Sequence, residues 1–142
     1  MFISEILRRK GSSVVTIDPD GTVGDVVRLL AEHRIGAVVV VQDGRTTGII
    51  SERDVVRRLG EIGAGVLDLK ARELMSSEVV TCAPKDNLDD IAQQITERRI
   101  RHLPVLSGDE LVGIVTIGDV VAARMHELER TRVQLESYIT QG

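Results

Sequence analysis

Apolar residues follow two alternating rhythms in this chain: short continuous runs, and spacings of three and four. Val14–Ile17 is a β-branched-rich run and predicts a strand, ended by the turn Pro19-Asp20-Gly21. From Val23 the period changes, and Val23, Val26, Val27 and Leu30 fall on one face of a predicted helix. Thr22 is its candidate N-cap, with Asp25 three residues later, close to a capping box. Two further strands are predicted at Ala37–Val41 and Thr47–Ile50. They are joined by Gln42-Asp43-Gly44-Arg45, since Asp-Gly between β-branched runs is a hairpin signal. A second helix is predicted from Ser51 to about Leu59.

The whole order then returns about 65 residues later without a gap. A run at Val79–Cys82 meets the turn Pro84-Lys85-Asp86. Asn87 precedes a stripe of Leu88, Ile91, Ala92 and Ile95. Runs at His102–Leu106 and Leu111–Val115 flank Ser107-Gly108-Asp109, and a helix starts at Thr116. Between residues 14–59 and 79–124, 14 of 46 aligned positions are identical, so one supersecondary unit is used twice. The expected fold is α/β, with two strand-helix-strand-strand-helix units spanning residues 1–66 and 67–142. A single unit leaves a sheet face uncovered, so the two are expected to pack as a pseudo-twofold pair.

The joining segment carries Gly60, Gly63 and Gly65, which read as loop, and then Leu69–Met75 as a short helix. A similar lead-in, Ser4–Arg9, precedes the first unit with a spacer about three residues longer. The last helix is expected to continue as far as Tyr138. Met125, Leu128, Leu135, Tyr138 and Ile139 lie near one side of it, as a partner contact would need.

Composition narrows the function. Aromatic residues number two, Phe2 and Tyr138, so the core must be aliphatic. A net charge of −4 argues against a nucleic-acid surface. The clusters Arg8-Arg9-Lys10, Arg57-Arg58 and Arg98-Arg99 with Arg101 read as helix ends, some available to a phosphate. Cys82 has no intrachain partner and reads as a small core residue. There is no apolar run of membrane-spanning length and no signal-peptide pattern at Met1. A cytoplasmic protein with no membrane contact is therefore expected. His33, His102, His126 and Cys82 keep no metal-ligand spacing, and no catalytic motif occurs. No enzyme activity, catalytic cofactor or metal is expected.

The chemistry concentrates in one element present twice, Gly48 to Asp54 and Gly113 to Asp119. In each, a hydroxyl (Ser51, Thr116) stands at a helix start and a carboxylate (Asp54, Asp119) follows three residues later. Such a pair can be a helix cap and nothing more. The same helix start offers free N–H groups and a hydroxyl to a phosphate, while the aspartate suits the vicinal diol of a ribose. Spacing leaves both readings open.

These elements stand behind Arg34-Ile35-Gly36-Ala37 and Arg99-Ile100-Arg101-His102, with Glu73-Leu74-Met75-Ser76 as a lead-in. Together they resemble the CBS-domain pair, or Bateman module, over residues 4–125, and in particular its stand-alone members. The resemblance implies binding of AMP, ADP, ATP, NAD or S-adenosylmethionine in clefts between the repeats, and a disc-like homodimer. It implies that Thr116 and Asp119 face Ser13, Val15, Ile35, Gly36 and Ala37. It likewise implies that Ser51 and Asp54 face Val80, Ile100, Arg101 and His102. Gly118 permits close backbone approach where Arg53 adds a cation, and Lys10 is a weaker phosphate candidate. The clefts should therefore be unequal. The chain departs from the family pattern at Ser51, a serine in place of threonine, and at Val39, where the second copy has Pro104. The function implied is an adenosine-nucleotide sensor, AMP foremost, acting in trans on a regulated protein. A structural dimerisation module without ligand is the alternative, and a nucleotide hydrolase a third.

Overall fold

A computed structural model describes residues 1–141. The first half holds α1 (Ile3–Lys10), β1 (Thr16–Ile17), α2 (Val23–His33), β2 (Ala37–Gln42), β3 (Arg45–Ser51) and α3 (Glu52–Ile62). A 3-10 helix over Gly63–Asp68 leads to α4 (Ala71–Leu74). Then come α5 (Leu88–Arg98), β4 (His102–Ser107), β5 (Glu110–Thr116) and α6 (Ile117–Gln141). The mixed α/β order of two repeated units is the expected one.

Matched contacts recur at matched positions. β2 and β3 form an antiparallel hairpin with Ala37 opposite Ser51, and β4 and β5 form another with His102 opposite Thr116. Each hairpin shifts register once, between Val40 and Val41 and between Val105 and Leu106. β1 runs parallel to β2 with Ile17 opposite Val40, and Cys82 bridges Val105 in the same sense. The first strand of each unit is shorter than its apolar run suggests. Two residues pair in the first copy, and in the second the expected strand Val79–Cys82 contributes only the Cys82 bridge. An edge run with one neighbour has few ladder bonds to extend it.

The helices start where side chains satisfy their free N–H groups. The Thr22 hydroxyl accepts from the Asp25 N–H while Asp25 accepts from the Thr22 N–H, a complete capping box. Asn87 caps α5 more tightly, its Oδ1 accepting from the Asp89 N–H at 2.8 Å. Both helices end at an arginine in the left-handed region, Arg34 (φ 54°) and Arg99 (φ 53°). The glycine-bearing joint differs from the expected loop: Gly60 lies within α3, and the 3-10 helix seals the first core with buried Val66.

Two aliphatic cores result, and the lead-in helices are exchanged between them. The first core gathers Val23, Val26, Leu30, Val38, Val40, Ile50, Val55, Val66 and, from α4, Ala71. The second gathers Leu88, Ile91, Ile95, Leu103, Val105, Val115 and Val120 with Ile3, Ile6 and Leu7 of α1. Backbone bonds fix the exchange at both ends. Phe2, at the start of α1, bridges Asn87, the cap of α5. Lys70, at the start of α4, bridges Thr22, the cap of α2. The segment preceding each repeat thus packs on the other one.

Candidate functional site

The two motif elements sit at the ends of β3 and β5, where each strand turns into a helix. Their leading glycines are buried under the exchanged helices: Gly48 lies against Met75, and Gly113 against Leu7. Any side chain at either glycine would collide with that neighbour.

At Ser51 the hydroxyl accepts from the Asp54 N–H at 3.3 Å, and Asp54 Oδ2 accepts from the Ser51 N–H at 2.8 Å and from its hydroxyl at 3.0 Å. At Thr116 the hydroxyl accepts from the Asp119 N–H at 3.1 Å, and Asp119 Oδ2 accepts from the Thr116 N–H at 2.9 Å. Both elements are complete capping boxes. In each it is Oδ2 that closes the box, and Oδ1 has no hydrogen bond among the described residues. The first helical N–H is also taken, by the Gly36 carbonyl in one copy and the Arg101 carbonyl in the other, both at 2.9 Å.

Gly36 and His102, expected on different clefts, meet across the repeats. A Cβ on Gly36 would stand 2.9 Å from His102 Nε2 and 3.4 Å from Glu52 Oε1. An imidazole therefore covers Gly36. His102 is half-buried, and that burial holds its pKa below the ordinary imidazole value. The carboxylates of Glu52 and Asp119 oppose the shift, while Arg101 and Lys10 reinforce it.

Lys10 contacts Asp119 directly, Nζ to Oδ2 at 2.6 Å, and donates to the Ile114 carbonyl at 2.8 Å. The segment from Lys10 towards Ser13 therefore begins beside Asp119. Val15, Ile35, Val80 and Ile100 are half-buried on the edges of the two cores; Ser13, Arg53 and Arg101 are exposed. A Cβ on the exposed Gly118 would meet only the Thr116 hydroxyl, at 3.6 Å, so the first turn of α6 is open above it. A groove of about 740 Å³ bordered by Leu7, Arg8, Pro84 and Glu110 is lined by no residue of either motif element, although Leu7 on its border packs on Gly113. Among the described residues no cluster of His, Cys, Asp or Glu is placed to hold a metal, and no helix is long and apolar enough to cross a membrane.

Residues 3–61 and 71–126 each match the sequence model of the CBS domain. The chain belongs to the CBS-domain family. As a CBS pair it is 35% identical to the CBS domain-containing protein CBSX3, mitochondrial, of Arabidopsis thaliana, over 99% of this chain and 72% of that protein. The CBS-domain containing protein ATU1752 of Agrobacterium tumefaciens superposes with a TM-score of 0.84 at 41% identity, covering 87% of this chain and 99% of its own. The CBS domain pair of protein MJ0100, solved in complex with 5′-methylthioadenosine and S-adenosyl-L-methionine, shares the fold. Its TM-score is 0.80 at 22% identity, over 89% of this chain and 98% of that one.

Proposed function

We propose that this CBS pair is a regulatory module of the cytoplasm that binds adenosine nucleotides, AMP foremost, and signals their presence to a partner protein in trans without catalysing a reaction. The observation that carries the proposal is the twice-built helix start. The hydroxyl of each and the first-turn N–H left free among the described residues, that of Arg53 or Gly118, are offered to a phosphate, and an aspartate keeps Oδ1 available to a ribose diol. Thr116, Gly118 and Asp119 form the polar half of one site, opposite Ser13, Val15, Ile35, Gly36 and Ala37. Ser51, Arg53 and Asp54 form that of the other, opposite Val80, Ile100, Arg101 and His102. The adenosine ligands of MJ0100 support the same class of ligand here. ADP, ATP and NAD share the adenosine moiety and are the further candidates.

The working unit is proposed to be a homodimer. Val56 and Leu59 of α3 and Val121, Met125 and Leu128 of α6 are 46–69% exposed, apolar positions that a second copy would cover. This feature, and the use of both hydroxyl–carboxylate pairs as helix caps, also fits a purely structural dimerisation module.

Thermal denaturation with AMP, ADP, ATP and NAD separates the two. A ligand at about 100 times its dissociation constant adds about 2.7 kcal/mol of apparent stability. No response to any of the four, from ligand-free protein, overturns the sensor and leaves the structural module. Asp54→Asn and Asp119→Asn are each expected to remove one site.

A further inference from the structure

Lys10 is the last residue of α1, and its ammonium joins two parts of the second motif element. It donates to Asp119 Oδ2 at 2.6 Å and to the Ile114 carbonyl at 2.8 Å. Both side chains are largely covered, 29% and 21% exposed. The pairing follows from unequal spacers. Leu7 and Met75 are equivalent, since each lies against a motif glycine, yet Leu7 precedes Val14 by seven positions and Met75 precedes Val79 by four. α1 takes up the three extra residues as further helix, ending in Lys10, whereas α4 stops at Leu74. The same count from Met75 reaches Glu78, an exposed acid. Among the described residues Asp54 has no ion pair, so this cation serves one cleft.

We propose that Lys10 determines the specificity of the Asp119 cleft. It exchanges Asp119 for the phosphate of an incoming nucleotide, and so selects 5′-phosphorylated adenosine ligands over uncharged or cationic ones. The inference rests on the nucleotide-binding reading above. A ribose diol must take the carboxylate that Lys10 holds. A ligand without an anion leaves the partly covered ammonium with only the Ile114 carbonyl, which opposes binding. A phosphate gives Lys10 a replacement partner, so one charge-assisted pair is exchanged for another. S-adenosylmethionine carries a sulfonium at the 5′ carbon, a like charge where AMP has its phosphate, with its carboxylate farther out.

Calorimetric titration of the full-length, ligand-free protein tests this in an Asp54→Asn background, where the Asp119 cleft alone reports. AMP is expected to bind at least about tenfold more tightly than adenosine, an energy within the range of one charge-assisted pair. Lys10→Met is expected to bring the two close together, chiefly by strengthening adenosine, whose diol then meets an Asp119 no longer held by Lys10, and Lys10→Arg to keep the preference. Added salt should weaken AMP more than adenosine in the protein that retains Lys10, a readout that needs no substitution at this position. An undiminished preference for AMP in Lys10→Met overturns the role of Lys10 while leaving nucleotide binding intact. If neither ligand binds with Lys10 present, the nucleotide reading of this cleft fails and the exchange falls with it.

Discussion

Leu7 of the lead-in helix fills the space a side chain on Gly113 would need: a Cβ there would stand 2.7 Å from Leu7 Cδ2. The two residues belong to opposite ends of the chain, and their contact locks α1 onto β5. Gly113→Ala is expected to destabilise by about 1–3 kcal/mol through overpacking, and Leu7→Ala by about 2–5 kcal/mol through the cavity it leaves. In the double variant the alanine at 113 should cost much less than it does alone. Urea denaturation of the four proteins measures the coupling. Strict additivity would show that the two side-chain positions do not compete for space.

The capping boxes have a structural role that ligand binding does not replace. Ser51→Ala and Thr116→Ala each remove the acceptor of a helix N–H and are expected to cost about 1 kcal/mol. Asp119→Asn should cost more than Asp54→Asn, because Asp119 also holds Lys10. Denaturation without nucleotide measures both pairs, and the reverse order would mean that the Lys10 contact contributes nothing to stability.

His102 links stability to pH. Its folded pKa lies below the ordinary value because burial disfavours the charged ring. The unfolded chain therefore binds the proton more readily in the window between the two pKa values. Stability from this group is fully present above about pH 6.5, the unfolded value, and is lost as pH falls through that window. His102→Gln should flatten the decline in denaturation midpoint on acidification below neutrality. An unchanged decline would assign it to carboxylates. Asp20 (beside Arg72) and Asp25 (in the Thr22 box) have lowered pKa values and lose their contribution at lower pH still.

Cys82 reports on the second core. Burial, with the Asp86 charge nearby, pushes its thiol up to about 12, so the thiolate that attacks disulfide reagents is scarce in the native protein. Labelling at mildly alkaline pH is expected to await opening of the fold, and to quicken in Leu7→Ala. Rapid labelling of the native protein would mean that the Cys82 environment is open.

Much of this was legible along the chain because it is local. The repeat fixed the element order, the 3–4 spacing of Val23, Val26 and Leu30 named a buried helix face, and Ser51 and Thr116 announced the caps they form. The turns at Asp43-Gly44 and Ser107-Gly108 followed from residues that favour them. Length was read less well where pairing decides it. Val79–Cys82 has the composition of a strand but one bridging partner, and Gly63–Asp68 gained a 3-10 helix because Val66 had a core to enter.

Local pattern is enough to show that one unit occurs twice, which faces are apolar, and which hydroxyl and carboxylate begin each final helix. The exchange of the lead-ins, the reach of Lys10 to Asp119 and the cover of His102 over Gly36 come from packing between distant segments. The difference is one of range. Periodicity states that Ile3, Ile6 and Leu7 share a helix face, but which of two similar aliphatic cores receives that face depends on close packing across a hundred residues. The glycines that permit it, Gly48 and Gly113, carry no side chain to reveal their partner.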